Sequence, residues 1–300
     1  MRNEGTSNRP SKVLLAGAGG LVGRHLAARL GASREVLALA HAELDITDGA
    51  AVFRTVEAER PGLVVNCAVL GVDECERDER AARAINVEGP RALASAAAAA
   101  GADVLHFSTN YVFDGRDESR APYTQTDEPH PLNVYGRTKL EGERAVREAA
   151  PHSFVVRTSW VYGRGKDSFL STAHARLAAR QAVRAITDTR ANTTYVADLV
   201  GRVGEILARR VYGTYHVVNE GVCSYYDFAA EAARLAGLGE GEAARLIEKV
   251  REGEMGRDAE RPRHTPMRCL LSERLGLAPM RDWRGALAAY VASCKLQNHV

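Results

Sequence analysis

Val13-Leu14-Leu15-Ala16-Gly17-Ala18-Gly19-Gly20-Leu21-Val22-Gly23 decides how the chain is read. Four apolar residues without polar alternation fit a strand covered on both faces, and a helical pattern begins near Leu21. Between them lies Gly-x-x-Gly-x-x-Gly. Gly17 would permit a tight turn, Gly20 the close approach of a pyrophosphate, and Gly23 the packing of helix on sheet. Gly19, Leu21 and Val22 complete a helix start whose amides face an anion. The competing reading is a strand-to-helix turn that merely needs small residues.

Outward from this stretch, short apolar runs alternate with longer helical patterns. Val36-Leu39, Leu63-Val65, Val104-Phe107, Phe154-Val156 and Val183-Ile186 read as strands, with helices over 21–31, 48–59, 78–100, 134–149 and 168–180. Strand, helix, strand repetition predicts an α/β doubly wound parallel (Rossmann) sheet with right-handed crossovers. Past about residue 190 the pattern changes to a helix at 196–209, a strand at Tyr215-Val218 and mostly helical or irregular sequence. We therefore expect a disordered leader over 1–11, a dinucleotide-binding domain over 12–160, and a smaller substrate lobe over 161–300. Parts of 180–220 would complete the sheet, so the lobes interleave.

Composition excludes several classes. Apolar content of 45%, charge of 26% and net charge of +2 describe an ordinary globule with no block suited to nucleic acid or a membrane surface. No run approaches the roughly 18 apolar residues of a membrane helix. Five scattered cysteines, odd in number and without metal spacing, fit reduced thiols in a cytoplasm and give no metal site.

The second strand ends Ala40-His41, where a carboxylate for the adenosine ribose would be expected. Without an acid a 2′-phosphate is not repelled, and His41 or Arg24 could approach it. NADP(H) is therefore expected ahead of NAD(H), with Glu43 as the counter-argument if its loop folds back. Asp45 and Ile46 open a stretch that could wall the adenine, while Asp48 reads better as a helix cap. Cys67 and Ala68, after Asn66, end the third strand at the crevice where such sheets bind ligands. Asn86, polar in an apolar helix face, reads equally as a core hydrogen bond or a site support.

Asn133-Val134-Tyr135-Gly136-Arg137-Thr138-Lys139 carries the candidate chemistry. On a helix Tyr135 and Lys139 stand one turn apart. Bringing a tyrosine from pKa ~10 toward neutrality needs roughly 4 kcal/mol, which a close lysine in a dry pocket could supply. Ten tyrosines and five lysines in 300 residues give on the order of 0.2 chance occurrences of this spacing. A second hit, Tyr162 with Lys166, contains Gly163 and Gly165 and is discarded as a loop coincidence. Tyr135 is followed by Glu141/Ala145 and Glu143/Arg147 spacings that fit a helix despite Gly142.

Three segments then occur in order: Phe107-Ser108-Thr109-Asn110-Tyr111-Val112-Phe113-Asp114-Gly115, Pro131 to Lys139, and Arg157-Thr158-Ser159-Trp160-Val161-Tyr162-Gly163. With Asp45-Ile46-Thr47-Asp48 and Ile85-Asn86-Val87-Glu88-Gly89-Pro90, the chain from about residue 12 to 292 resembles the extended short-chain dehydrogenase/reductases, and within them the dTDP-4-dehydrorhamnose reductase family. The resemblance implies hydride transfer from a nicotinamide to the C4 ketone of a nucleotide-linked 6-deoxysugar. Tyr135 would deliver the proton, Thr109 would hydrogen-bond the carbonyl oxygen, and Lys139 would lower the Tyr135 pKa and hold the nicotinamide ribose. Tyr111 and Trp160 match sugar contacts, with Ser108 and Asn110 beside them, although Trp160 could instead fill a core. Related dehydratases carry Asp-Glu after the threonine where this chain has Asn110-Tyr111, so a simple reductase is favoured.

Three segments depart from the family pattern. Asn110 replaces an aspartate, the loop Val69–Asp73 is one residue short, and Asp188–Thr194 lacks the usual glycine and proline. All three are expected on the substrate side. The expected partner is thus a small molecule, a nucleotide sugar first, with a homodimer left open. Two rivals remain: a catalytically silent relative such as the regulatory β subunit of methionine adenosyltransferase, and a reductase of a ketone without a nucleotide.

Overall fold

The computed structural model describes residues 12–296; the expected leader lies outside them. Six strands form one parallel sheet: β1 (Val13–Ala16), β2 (Val36–Leu39), β3 (Leu63–Asn66), β4 (Asp103–Thr109), β5 (Ser153–Thr158) and β6 (Gly213–His216), in the order β6-β5-β4-β3-β1-β2. The order reverses between β1 and β3, and the carboxyl ends there open the crevice in which doubly wound sheets bind ligands.

Helices cover both faces, which is why the strands could be apolar throughout. On one face α1 (Leu21–Gly31) and a late helix, Val196–Arg209, set Leu26, Leu30, Leu199 and Val203 against Val13, Leu15 and Val65. On the other, α2 (Gly49–Glu59), α3 (Gly89–Ala99) and α4 (Val134–Ala149) bury Val52, Leu93 and Val146 against Leu14 and Val64. Asp48 caps α2, accepting from the Ala51 amide at 2.9 Å.

Two expectations are corrected. Val183–Ile186 does not join the main sheet: β6 occupies the place beside β5, and this apolar run pairs instead with Ile247–Val250 inside the second lobe. Leu170, Leu177, Phe228 and Trp283 pack around that small sheet. The helix read over 78–100 is broken at Ala84–Glu88 into a π-turn, a wide turn that often marks functional sites. It turns Asn86 fully inward, where it donates to Thr138 Oγ1 at 3.1 Å and accepts from the Leu70 amide at 3.2 Å. Gly142 is required here, because a Cβ would stand 2.1 Å from the Asn86 carbonyl oxygen.

The chain end returns to the first half. Tyr123 bridges Met267, its amide donating to the Pro266 oxygen at 2.7 Å, and Met267 is buried with Val112, Phe113 and Leu140.

Beneath α4 lies a pair the helix pattern did not reveal. Glu143, whose spacing to Arg147 fits a helix, is fully buried and accepts from Arg157 Nε at 2.8 Å and Nη2 at 2.7 Å, and from Arg147 Nη1 at 3.4 Å. Burial opposes its charge, yet Arg157 and the Ser108 hydroxyl at 2.6 Å outweigh that, and its pKa falls below the ordinary range. Removing one partner strands the other in a dry interior. Arg157→Met is therefore expected to lower unfolding free energy by about 3–5 kcal/mol, read from urea midpoints. Glu143→Leu/Arg157→Met should recover much of the loss.

Candidate active site

One cavity of about 270 Å³ opens at the carboxyl ends of β3, β4 and β5. Thr109, Tyr135 and Lys139 all line it, together with Val22, Cys67, Ala68, Ser108, Asn110, Tyr111 and Trp160. Gly17, Gly19, Gly20, Leu21, Gly23, His41, Asp45 and Ile46 lie outside that lining. The hydride-transfer candidates thus converge, while the adenosine-side candidates stand apart along β1, α1 and the end of β2.

Local structure explains the convergence. Asn133 caps α4, accepting from the Gly136 amide at 2.8 Å, and so places Tyr135 in the first turn. Gly136 lets Tyr111 approach, since a Cβ would be 2.2 Å from the Tyr111 oxygen. The two tyrosine rings meet edge to face at 5.7 Å. Thr109 ends β4; its hydroxyl accepts from the Tyr111 amide at 3.1 Å and donates to Asn110 Oδ1 at 3.3 Å.

Lys139 is 2% exposed, and its Nζ donates to the Phe107 oxygen at 2.7 Å with His106 Nε2 at 3.5 Å. Burial lowers its pKa to about 8, against smaller upward pulls from Glu143, Cys67 and Cys75. Burial likewise pushes the Tyr135 phenol well above its ordinary value; Thr109 draws it down, Tyr111 and Cys75 push it up. The expected depression of Tyr135 by Lys139 is therefore corrected. Stacking one turn apart does not aim the ammonium at the phenol when a backbone oxygen holds it and both charged forms are desolvated.

Other candidates have mixed placements. Ser108 borders the cavity but commits its hydroxyl to Glu143. Trp160 adopts φ +41° and lies 4.1 Å from the Tyr225 ring, so it lines the cavity while packing against the second lobe. Tyr162 is fully buried in a short strand and Lys166 is exposed beyond two glycines, so they form no helical pair; Lys166 nevertheless reaches the cavity rim. Among the departures, Asn110, Val69 and Val72 line the cavity, whereas 188–194 does not. That segment anchors the chain end instead, with Asn192 Oδ1 accepting from the Met267 amide at 2.7 Å.

The glycine string forms a cradle. Gly17 has φ +82°, and a Cβ there would stand 2.5 Å from the Ala68 amide; at Gly23 it would stand 2.3 Å from the Gly17 oxygen. No side chain caps α1 and its first turn holds no acid. These are the features a pyrophosphate requires of a helix start. At the β2 end, His41 is exposed, 3.9 Å from Asp45, while Asp45 accepts from Thr47 and Ile46 is buried in the core. Arg24 is turned away, bonded to the Gly165 oxygen, so it does not serve that end. Glu43 does fold back, accepting from the Ala40 amide at 2.8 Å.

A family model described as the RmlD substrate binding domain matches residues 11–296. A dTDP-4-dehydrorhamnose reductase of Mycolicibacterium smegmatis is 41% identical over 94% of this chain and 85% of its own. The chain belongs to the dTDP-4-dehydrorhamnose reductase family. A second such reductase, from Streptomyces griseus, is 39% identical over 94% of this chain and 93% of its own. The crystal structure of a Bacillus anthracis dTDP-4-dehydrorhamnose reductase in complex with NADP superposes with a TM-score of 0.88 at 30% identity, covering 94% of this chain and 99% of that one.

Sequence reasoning missed what lies beneath this family's motif residues: His106, Glu143 and Arg157. A signal existed, since His106 and Arg157 interrupt otherwise apolar strands. Lys139 also gives a pH-dependent test. Its pKa is about 8 folded against 10.5 as the reference value, so between these the unfolded chain holds more protons and stability rises with pH. Lys139→Met should match or exceed the parent in thermal stability at pH 7, by up to roughly 3 kcal/mol. Melting curves should show that advantage shrinking from pH 8 to 10.5.

Proposed function

We propose that this protein is an NADPH-dependent ketoreductase of the C4 ketone of a nucleotide-activated 6-deoxysugar, working in a cytoplasm that keeps its five cysteines reduced. The observation that carries the reading is the convergence of Thr109, Tyr135 and Lys139 on one cavity. Bound NADPH supplies the hydride. Tyr135 donates its proton to the oxygen as charge develops there. The Thr109 hydroxyl orients that oxygen, its donation swinging from Asn110 to the ketone. Lys139 holds the nicotinamide ribose from the floor of the cavity. Tyr111 and Trp160 offer aromatic faces to the apolar side of a deoxysugar.

The cradle at Gly17, Gly20 and Gly23 supports a dinucleotide, and the exposed imidazole of His41 supports its 2′-phosphate. A second reading, NAD(H), is favoured by Glu43, whose carboxylate stands one hydrogen bond from the end of β2. The ratio of NADPH to NADH efficiency separates them. His41→Ala should lower it, Glu43→Gln should raise it, and an unchanged ratio in both would remove this end of the site from selectivity.

Incubation with NADPH and a panel of nucleotide 4-ketosugars, followed by mass spectrometry, tests the substrate class. Tyr135→Phe should lower turnover by about two to four orders of magnitude with cofactor binding retained. Full activity in that variant would exclude Tyr135 as the proton donor. Silence of the parent on the whole panel, with cofactor bound, would favour a binding subunit or a ketone without a nucleotide.

A further inference from the structure

Only two charged side chains line the cavity that holds Tyr135, and both are lysines. Lys139 is buried with its amine on the Phe107 oxygen, whereas Lys166 is exposed and reaches the rim. The lining contains no carboxylate to pair with either. Asp167, the acid next to Lys166 in the chain, belongs to a neighbouring hollow of about 260 Å³ that Lys166 also borders. Proposed proton and hydride transfer leave the rim lysine unused.

Its loop is fastened to the helix that starts at the glycine cradle. Arg24 donates to the Gly165 oxygen, and His25 Nε2 lies 3.3 Å from the Arg164 oxygen. Both side chains follow directly on Leu21, Val22 and Gly23 in the first turns of α1. Gly165 adopts φ +91°, and a Cβ there would stand 2.9 Å from Arg24 Nη2, so a glycine lets the loop lie against the helix. At the other end the Gly163 amide donates to Ser171 Oγ at 3.2 Å. Val22 lines the same cavity as Lys166, so the start of α1 and the amine border one opening.

We propose that Lys166 is a diphosphate-binding residue, held by the clasp from α1 at the edge where a ligand's bridging phosphates pass between the glycine cradle and the cavity. The amides at a helix start can meet only part of a diphosphate, and the remaining oxygens need a charge from elsewhere. A lysine suits that place, because its compact charge on a flexible stem follows a phosphate without demanding one geometry. The two ligands of the proposed reaction, the dinucleotide and the nucleotide-activated sugar, both carry the group, so the inference rests on that reading for its ligands. Fastening of the loop to α1 favours the dinucleotide.

Binding alone tests it. NADPH is titrated into the protein by nicotinamide fluorescence with no sugar present, and dTDP is titrated into the NADPH-loaded protein by calorimetry. Lys166→Met should weaken NADPH by about three- to tenfold at low salt, while Lys166→Arg keeps most of the affinity. The difference between parent and Lys166→Met should shrink as salt is raised from about 0.01 M to about 1 M, where the screening length falls from about 30 Å to about 3 Å. A loss confined to dTDP assigns Lys166 to the diphosphate of the sugar substrate instead. A parent that binds neither probe overturns the proposal, as does a Lys166→Met protein that binds both as the parent does, or a loss that salt and Lys166→Arg leave unchanged. Absence of ketosugar turnover beside the expected binding losses would remove the reaction and leave the diphosphate contact standing.

Discussion

Glu143 and Arg157 hold the site together. The pair joins the helix that carries Tyr135 and Lys139 to the strand that runs into Trp160, and through Ser108 to the strand that ends in Thr109. Three elements meet at one carboxylate. An apolar contact of similar size would stabilise them without fixing their rotation, whereas a bidentate guanidinium has one good geometry. The position of the phenol above the cavity follows from that constraint, as does the depth at which Lys139 is buried.

Around this pair the active face is divided by strand alternation. Phe107 and Thr109 follow one parity of β4, His106 and Ser108 the other. Thr109 meets the cavity directly, while His106 and Ser108 turn toward α4, His106 against Lys139 and Ser108, at the cavity border, onto Glu143. A polar layer under a reactive one keeps the reactive side chains from relaxing, because each buried donor or acceptor would lose a partner on moving.

Much of the sheet could be read from residues alone: β1 and β2 match their expected limits, and the glycine string is where the crevice begins. Legibility failed where a residue's role depends on what it faces. Val183–Ile186 has the pattern of a sheet strand, and only the position of Gly213–His216 excludes it. Glu143 with Arg147 has helical spacing, and only the packing of the helix against Arg157 of β5 buries the acid. The expected effect of Lys139 on Tyr135 rested on helical stacking, while the direction of its amine is set by a carbonyl from another strand. Even the substrate-side departures were half legible. Asn110 lines the cavity, and it also donates to Thr265 Oγ1 at 2.6 Å, a contact 155 residues away.

That last contact belongs to a strap. Asp73 accepts two hydrogen bonds from Arg261, Asn133 donates to the Glu260 oxygen, and Asn110 holds Thr265, so residues 260–265 lie across the face that carries the tyrosine. During synthesis the nucleotide cradle, complete by Ala68, emerges some 190 residues ahead of this strap. The segment that ties down the tyrosine-bearing face is therefore made well after the glycine cradle. The contacts that fix Asp73, Asn110 and Asn133 form only once the chain has been made to about residue 265.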